Sequence, residues 1–345
     1  MSPPSPAIAA APSPVAAPGL VVLRPEGLYC PAGDFHIDPA KPVPRAVITH
    51  AHGDHARRGC GRYWAAASGL GLLRERLGRG AQIEALPYGH AMKLGRTQVS
   101  LHPAGHMLGS AQVRIDCAGE VWVVSGDYKR EPDPSCEAFQ PQRCDVFVTE
   151  TTFARPGFRW PAPATVIDEV LGWWRDCAER GAAAVLFCYA AGKAQRILAE
   201  LYLRRAALDG LDANVALHPA MTPLVKAYRQ AGIAMLDTQP VGAPPRGTTF
   251  AGRLVLAPPG AAGTSWMRRF EPYSSAFASG WMGQADGERR QRYARGFTLS
   301  DHADWEGLLR TIRETGARRV LTMHGDSDVL ITELRAAGIE AEPLA

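Results

Sequence analysis

No stretch of this sequence approaches the roughly 20 apolar residues that a membrane-spanning helix requires, so no such span is expected. Paired cysteines are missing too. The seven cysteines, Cys30, Cys60, Cys117, Cys136, Cys144, Cys177 and Cys188, are odd in number, scattered, and form no Cys-x-x-Cys. They read as small buried residues or free thiols of a reducing cytoplasm, the expected location. Charge is absent from residues 1–19, which are almost wholly Ala, Pro, Ser and Gly. Such a segment cannot bury enough apolar surface to offset its ordering entropy, and 1–18 is expected to be a disordered Ala/Pro tail. Nor is a signal peptide expected there, since a basic start is missing and Pro12, Pro14 and Pro18 break any apolar helix. Neither sign of charge dominates: 38 Lys and Arg against 34 Asp and Glu give a net +4, which permits a polyanionic partner without demanding one.

Histidine is scarce, with ten in 345 residues, yet three of them fall in Thr49-His50-Ala51-His52-Gly53-Asp54-His55 beside an acid. The apolar run Ala46-Val47-Ile48 before them reads as a buried strand, bounded by Pro42 and Pro44 upstream and Gly53 downstream. Side chains two apart on a strand share a face, so His50 and His52 can grip one ion. Asp54 and His55 lie past the glycine, where the chain turns, and are placed for a second ion. Imidazole and carboxylate are zinc ligands, and a hydrolytic site keeps one position open for water.

This His-x-His-x-Asp-His motif resembles the metallo-β-lactamase superfamily of two-metal hydrolases. Downstream motifs fall in the same series. His106 sits between Gly105 and Gly109 on a loop after a strand and is the third candidate ligand of the first ion, with His102 the weaker one. Asp127 ends the strand Val121 to Ser125 and would bridge both ions. The strand Val146-Phe147-Val148 leads to Thr149-Glu150-Thr151-Thr152, an acid with threonines that resembles the first extra motif of the β-CASP nuclease branch. Ser300-Asp301-His302-Ala303-Asp304 resembles the branch's motif whose histidine faces the scissile phosphate, with Glu150 or Asp304 orienting His302 and Asp304 suited to the first turn of the helix that follows. His324-Gly325-Asp326, after the strand Val320 to Met323, resembles the last motif and would supply a ligand to the second ion.

Between these motifs the pattern changes to alternating helices and strands, the mark of a small α/β domain with parallel strands. The fold expected is therefore α/β: a metallo-β-lactamase αββα sandwich with an inserted β-CASP α/β cap. Its segments are 19–158 and the return 298–345, with the cap at 159–297. Within the cap, Lys193 and Arg196 at a Gly-Lys helix start are candidates for phosphate binding. A stretch dense in arginine and aromatics, whose plain alternative is a solvated loop and helix face, adds Ser279, Arg289, Arg290 and Arg292 as nucleic-acid contacts.

Two ions about 3.5–4 Å apart can share a hydroxide and lower its pKa to about 7. The resemblance implies two zinc ions, with manganese the alternative: the first on His50, His52, His106 and Asp127, the second on Asp54, His55, Asp127 and His324. Asp54, Asp127, Glu150 and His302 are the expected catalytic set. The nearest likeness is to DNA-ligase-associated exonucleases, which implies a DNA exonuclease of repair working alongside an ATP-dependent DNA ligase and a helicase. Within the branch a histidine at the last motif is typical of RNA-processing members, so an RNA-processing nuclease is the second reading. A lactonase or thioesterase would leave the inserted domain, Glu150 and the 300–304 motif idle. A metal-free scaffold that only binds nucleic acid would leave a full ligand set without use.

Overall fold

The computed structural model describes residues 19–242, 248–284 and 292–344. The expected tail 1–18 and the candidates Arg289 and Arg290 lie outside the described residues.

The chain opens with a six-stranded sheet in sequence order: β1 (Val22–Arg24), β2 (Gly27–Cys30), β3 (Phe35–Ile37), β4 (Arg45–Val47), β5 (Arg62–Ala66) and β6 (Ile83–Leu86). The first pairings are antiparallel and those from β3 to β6 parallel. Helix α1 (Leu70–Leu77) turns Leu73 and Leu77 onto the outer face of this sheet, against Ala46, Ile48, Tyr63 and Ala65. Five strands of a second sheet follow: β7 (Met92–Leu94), β8 (Thr97–Pro103), β9 (Ala111–Cys117), β10 (Glu120–Val124) and β11 (Val146–Glu150). The two sheets share one apolar cluster, in which Phe35, Ile37 and Val47 meet Val99, Val113, Trp122 and Val148.

A third sheet then interrupts the second. It comprises β12 (Ala183–Phe187), β13 (Val215–Leu217), β14 (Thr238–Pro240), β15 (Leu254–Ala257), β16 (Tyr273–Ala278) and β17 (Arg295–Phe297), in spatial order β14-β13-β15-β12-β16-β17. Every pairing in it is parallel, and α2 (Pro163–Glu179), α3 (Lys193–Leu203) and α4 (Thr222–Gln230) pack on one face. Strand β12 shows why its sequence, Ala-Ala-Val-Leu-Phe, is apolar throughout: Ala184 and Leu186 face the helices while Ala183, Val185 and Phe187 face the opposite cluster. The arginine- and aromatic-rich stretch contains β16, which lies beside β12 with Phe277 opposite Phe187. Its apolar half, Ala276 to Ala278, is buried, and that burial overrides the polar sequence around it.

The chain returns through α5 (Trp305–Thr315), β18 (Arg319–Met323), α6 (Asp328–Ala336) and β19 (Glu340–Pro343). Strand β18 inserts parallel between β11 and β19, completing a seven-stranded sheet ordered β19-β18-β11-β10-β9-β8-β7. Its outer face carries α5 and α6, with Trp305, Leu308, Leu330 and Leu334 on Val123, Phe147 and Val320. The layer order is helix, sheet, sheet, helices, with a separate α/β unit inserted between β11 and α5. Among the described residues, no helix is long and apolar enough to cross a membrane.

Candidate metal centre

The chemistry-bearing residues collect beyond the carboxyl ends of parallel strands, where open α/β sheets leave a crevice. β4 leads to His50, β10 to Asp127, β11 ends at Glu150 and β18 leads to His324. Past β4 the chain coils into a turn in which His55 N and Ala56 N donate to His52 O. Asp127 is brought close by Gly126, whose φ of 57° is left-handed and whose missing Cβ would lie 2.7 Å from Thr49 Cβ. His106 stands on a loop closed by Ala104 N donating to Ser110 O, while Ser110 Oγ accepts from His106 N and Met107 N.

Hydrogen bonds on the far side of each ring fix which nitrogen faces inward. Thr49 Oγ1 donates to Asp38 Oδ2 at 2.5 Å, so at 3.0 Å it accepts from His50 Nδ1–H, leaving His50 Nε2 without hydrogen. His52 Nε2–H donates to Ala191 O at 3.2 Å, leaving its Nδ1 bare. His106 Nδ1–H donates to Asp301 O at 2.6 Å, leaving its Nε2 bare. Those three bare nitrogens converge: His50 Nε2 and His106 Nε2 lie 3.0 and 3.1 Å from His52 Nδ1. Asp127 Oδ2 stands 3.6 Å from the first and 3.9 Å from His106 Nε2. Lone pairs so placed repel unless a cation lies among them. Tetrahedral ligands at about 2.0–2.1 Å from zinc are about 3.3 Å apart, and the observed separations bracket that value. Burial, then neighbouring imidazoles, pushes His50 and His106 well below the usual histidine range, and burial also lowers His52, so all three are neutral as ligands must be. The donor set fits a metal ion.

A second group adjoins it. His55 Nε2 is 3.5 Å from Asp127 Oδ2 and 3.8 Å from Asp54 Oδ2, and the His324 ring lies 5.6 Å from that of His55. Asp54 and His324 are exposed, and His324 holds a left-handed φ of 56° that aims the residue after β18. Burial opposes a charge on His55, but the Asp38 and Asp127 carboxylates outweigh it and raise its pKa to about 11. Without an ion this position holds a proton.

Glu150 is fully buried and accepts from Tyr128 N at 2.7 Å, Thr152 Oγ1 at 2.5 Å and His302 Nδ1 at 2.8 Å. The orienting partner of His302 is therefore Glu150. Asp304 instead caps α5, accepting from Gly307 N at 2.8 Å, and also accepts from Trp160 N. Burial works against a charge on His302, yet Glu150 and Asp127 lift its pKa to about 9. His52, Asp54, His55, His106, Asp127, His302 and His324 line a cavity of about 480 Å³ whose opposite wall comes from the inserted unit, including Tyr189, Ala191, Lys193 and Trp281.

Lys193 and Arg196, each 1% exposed, are both ion-paired to Asp301, and Arg196 also lies 3.5 Å from Asp133, while Lys193 lines the cavity. Ser279 lines the cavity but is buried, its backbone N donating to Phe297 O. Arg292 is exposed and does not line the cavity. Sequence reasoning missed Asp38, which accepts from Thr49 N, Thr49 Oγ1 and His55 Nδ1 and so orients two histidines. Asp38, His50 and His55 lie close enough to suggest a ligand trio, but both Asp38 oxygens are committed to those bonds. An acid just after Phe35-His36-Ile37, itself a strand end, was the only available signal.

No protein-family model matches the chain. It is 31% identical over 318 residues to a probable DNA ligase of Opitutus terrae, covering 91% of this chain and 30% of that protein. The chain matches one section of a larger enzyme. It is also 31% identical over 121 residues to endoribonuclease YSH1 of Gibberella zeae, covering 34% of this chain and 14% of the relative. With endoribonuclease YSH1 of Kluyveromyces lactis it shares 35% identity over 74 residues, covering 21% and 10%. It thus spans less than a third of the length of each of these relatives. Among solved structures, a protein of unknown function from Enterococcus faecalis V583 matches with a TM-score of 0.57 over 86% of this chain and 78% of that one. At 12% identity this is a likeness of fold alone.

Proposed function

We propose that the chain is a metal-dependent nuclease of the metallo-β-lactamase superfamily, β-CASP branch, and acts as a DNA exonuclease in repair together with an ATP-dependent ligase and a helicase. The observation that carries this reading is the convergence of three bare imidazole nitrogens near Asp127, beside His302, which pairs with Glu150 and faces the cavity. His50, His52, His106 and Asp127 would hold one divalent ion, and Asp54, His55, Asp127 and His324 a second, with zinc favoured by the imidazole-rich donors. Ions bound there supply a lowered water pKa and offset charge on phosphate oxygens.

The chain's own residues do the rest by positioning and charge. Glu150 holds His302 Nδ1 and its positive charge, which leaves Nε2–H to donate to a phosphate or leaving oxygen in the cavity. Asp127 is kept ionised by its charged neighbours: burial alone would raise its pKa, but His55 and His302 hold it well below the carboxylate range. The inserted α/β unit acts as the cap that forms the far wall and limits access to a chain that can enter the cavity. Similarity to a probable ligase over 91% of this chain supports DNA as substrate and repair as setting. A second reading, RNA processing, draws on His324 and on the shorter matches to proteins named endoribonucleases.

The test is a time course on matched DNA and RNA oligonucleotides labelled at either end, with zinc or manganese added and Asp54→Ala as control. DNA shortened from one end, RNA spared and an inert variant are expected. Preferential RNA cleavage would transfer the protein to the second reading.

A further inference from the structure

We infer that Lys193 and Arg196 are positioning residues for the metal centre, acting from the inserted unit through the 299–301 segment on His106. The inference rests on the reading of His50, His52, His106 and Asp127 as a metal site.

Both side chains emerge from the first turn of α3 and are buried, Lys193 in the wall of the same cavity as the histidine cluster. Each grips the segment twice. Lys193 Nζ donates to Leu299 O at 2.5 Å and meets Asp301 Oδ1 at 2.8 Å, while Arg196 Nη1 donates to Ser300 O at 2.5 Å and to Asp301 Oδ1 at 3.2 Å. Asp133, bonded to Lys129, lies against the other edge of the Arg196 guanidinium. Five charges, Lys129, Asp133, Lys193, Arg196 and Asp301, are thus taken out of water at one junction. Apolar packing could join two units at least as stably, so stability alone does not account for such a cluster.

What the cluster holds does account for it. Asp301 O accepts His106 Nδ1–H, and that bond keeps His106 Nε2 bare and aimed at His52 Nδ1 and Asp127. The next residue, His302, meets Glu150. Two residues before Lys193, Ala191 O accepts His52 Nε2–H. Two of the three converging nitrogens therefore take their tautomer from the stretch Ala191 to Arg196, directly or through Asp301. The seat of the inserted unit and the geometry of the ion site are one arrangement, so loosening the first degrades the second.

Partners that orient ligands in this way are worth about 10–100-fold in metal affinity. The test uses the full chain with ¹⁵N-labelled histidine, in wild type, Lys193→Met, Arg196→Gln and the charge-keeping Arg196→Lys. In metal-stripped protein, long-range ¹H–¹⁵N spectra are expected to show His106 as the Nδ1–H tautomer in wild type and as a mixture in Lys193→Met and Arg196→Gln. Zinc titration should show affinity weakened about 10–100-fold in those two and less in Arg196→Lys. Thermal unfolding checks that each variant folds, and Arg196→Lys carries the test if the neutral variants do not. Unchanged tautomer and unchanged affinity in folded variants would overturn the inference, and a raised KM alone would make Lys193 a phosphate contact instead. Wild-type protein that bound no zinc would overturn the underlying metal reading.

Discussion

Asp38→Asn isolates the chemistry of one carboxylate from everything else at the site. Residue 38 has a left-handed φ of 44°, a conformation that Asn adopts as readily as Asp, so the backbone is undisturbed. In the native chain one oxygen accepts Thr49 N–H at 2.7 Å, and the other accepts both Thr49 Oγ1–H at 2.5 Å and His55 Nδ1–H at 2.8 Å. The amide keeps one acceptor and turns the other position into a donor that faces two donors. The economical relief is for His55 to give up its Nδ1 proton, accept there, and keep only the proton on Nε2, the nitrogen directed at Asp127 and Asp54. An ion must displace the Nε2 proton in either protein, but in the variant the proton that the ligated ring needs on Nδ1 faces an amide donor instead of a carboxylate. Zinc affinity at the His55 group should fall about 10–100-fold, or about 1.4–2.7 kcal/mol. The ion-free protein should also lose about 1.5–3 kcal/mol of stability, the worth of a charge-assisted bond. Competition with a chromophoric chelator reads the first quantity and urea unfolding the second. Zinc affinity within twofold of wild type would refute the tautomer argument, whatever happened to stability.

Two further outcomes follow from the protonation states. Because His55 is charged up to about pH 11 in the ion-free protein, zinc binding at pH 8 should release about one proton from it. Titration calorimetry in buffers of differing ionisation enthalpy measures that number, and zero release would contradict the charged state. His302, with its pKa raised to about 9, is protonated below that pH, so cleavage should decline as pH rises through it. Glu150→Gln removes the main source of the raised value, and the alkaline limb of the pH–rate profile should move to lower pH while kcat falls. A profile that kept its alkaline limb would separate Glu150 from His302.

How much of this was readable in advance depended on distance along the chain. His50, His52 and His55 announce themselves because they share one turn, and strands such as Ala111–Cys117, Val215–Leu217 and Leu254–Ala257 have the residues expected of buried strands. Strands β6 and β7, Ile-Glu-Ala-Leu and Met-Lys-Leu, are too short and mixed for periodicity to detect. The burial of Lys193 and Arg196 was invisible because the acids that neutralise them, Asp133 and Asp301, lie far away in sequence on separate elements. A Gly-Lys helix start looks the same whether its cation meets a ligand or a buried aspartate. Asp38 was illegible for the same reason, since a lone acid has no pattern until the fold sets it behind Thr49 and His55.

The position of β18 between β11 and β19 has a consequence for the order of synthesis. The ribosome delivers His50 to Asp127 first, then the whole inserted unit, and only then His302, β18 and His324. A nascent chain stalled before residue 300 would already display the His50, His52 and His106 rings. It would still lack the carbonyl of Asp301 that orients His106 and the His302–Glu150 pair. Closing β18 onto β11 across so long an intervening stretch is a contact of high sequence separation, late by the usual relation between topology and rate. The proposed centre is therefore completed only after the inserted unit has been made, and a chain lacking residues 300–324 carries the three converging imidazoles without the His302–Glu150 pair.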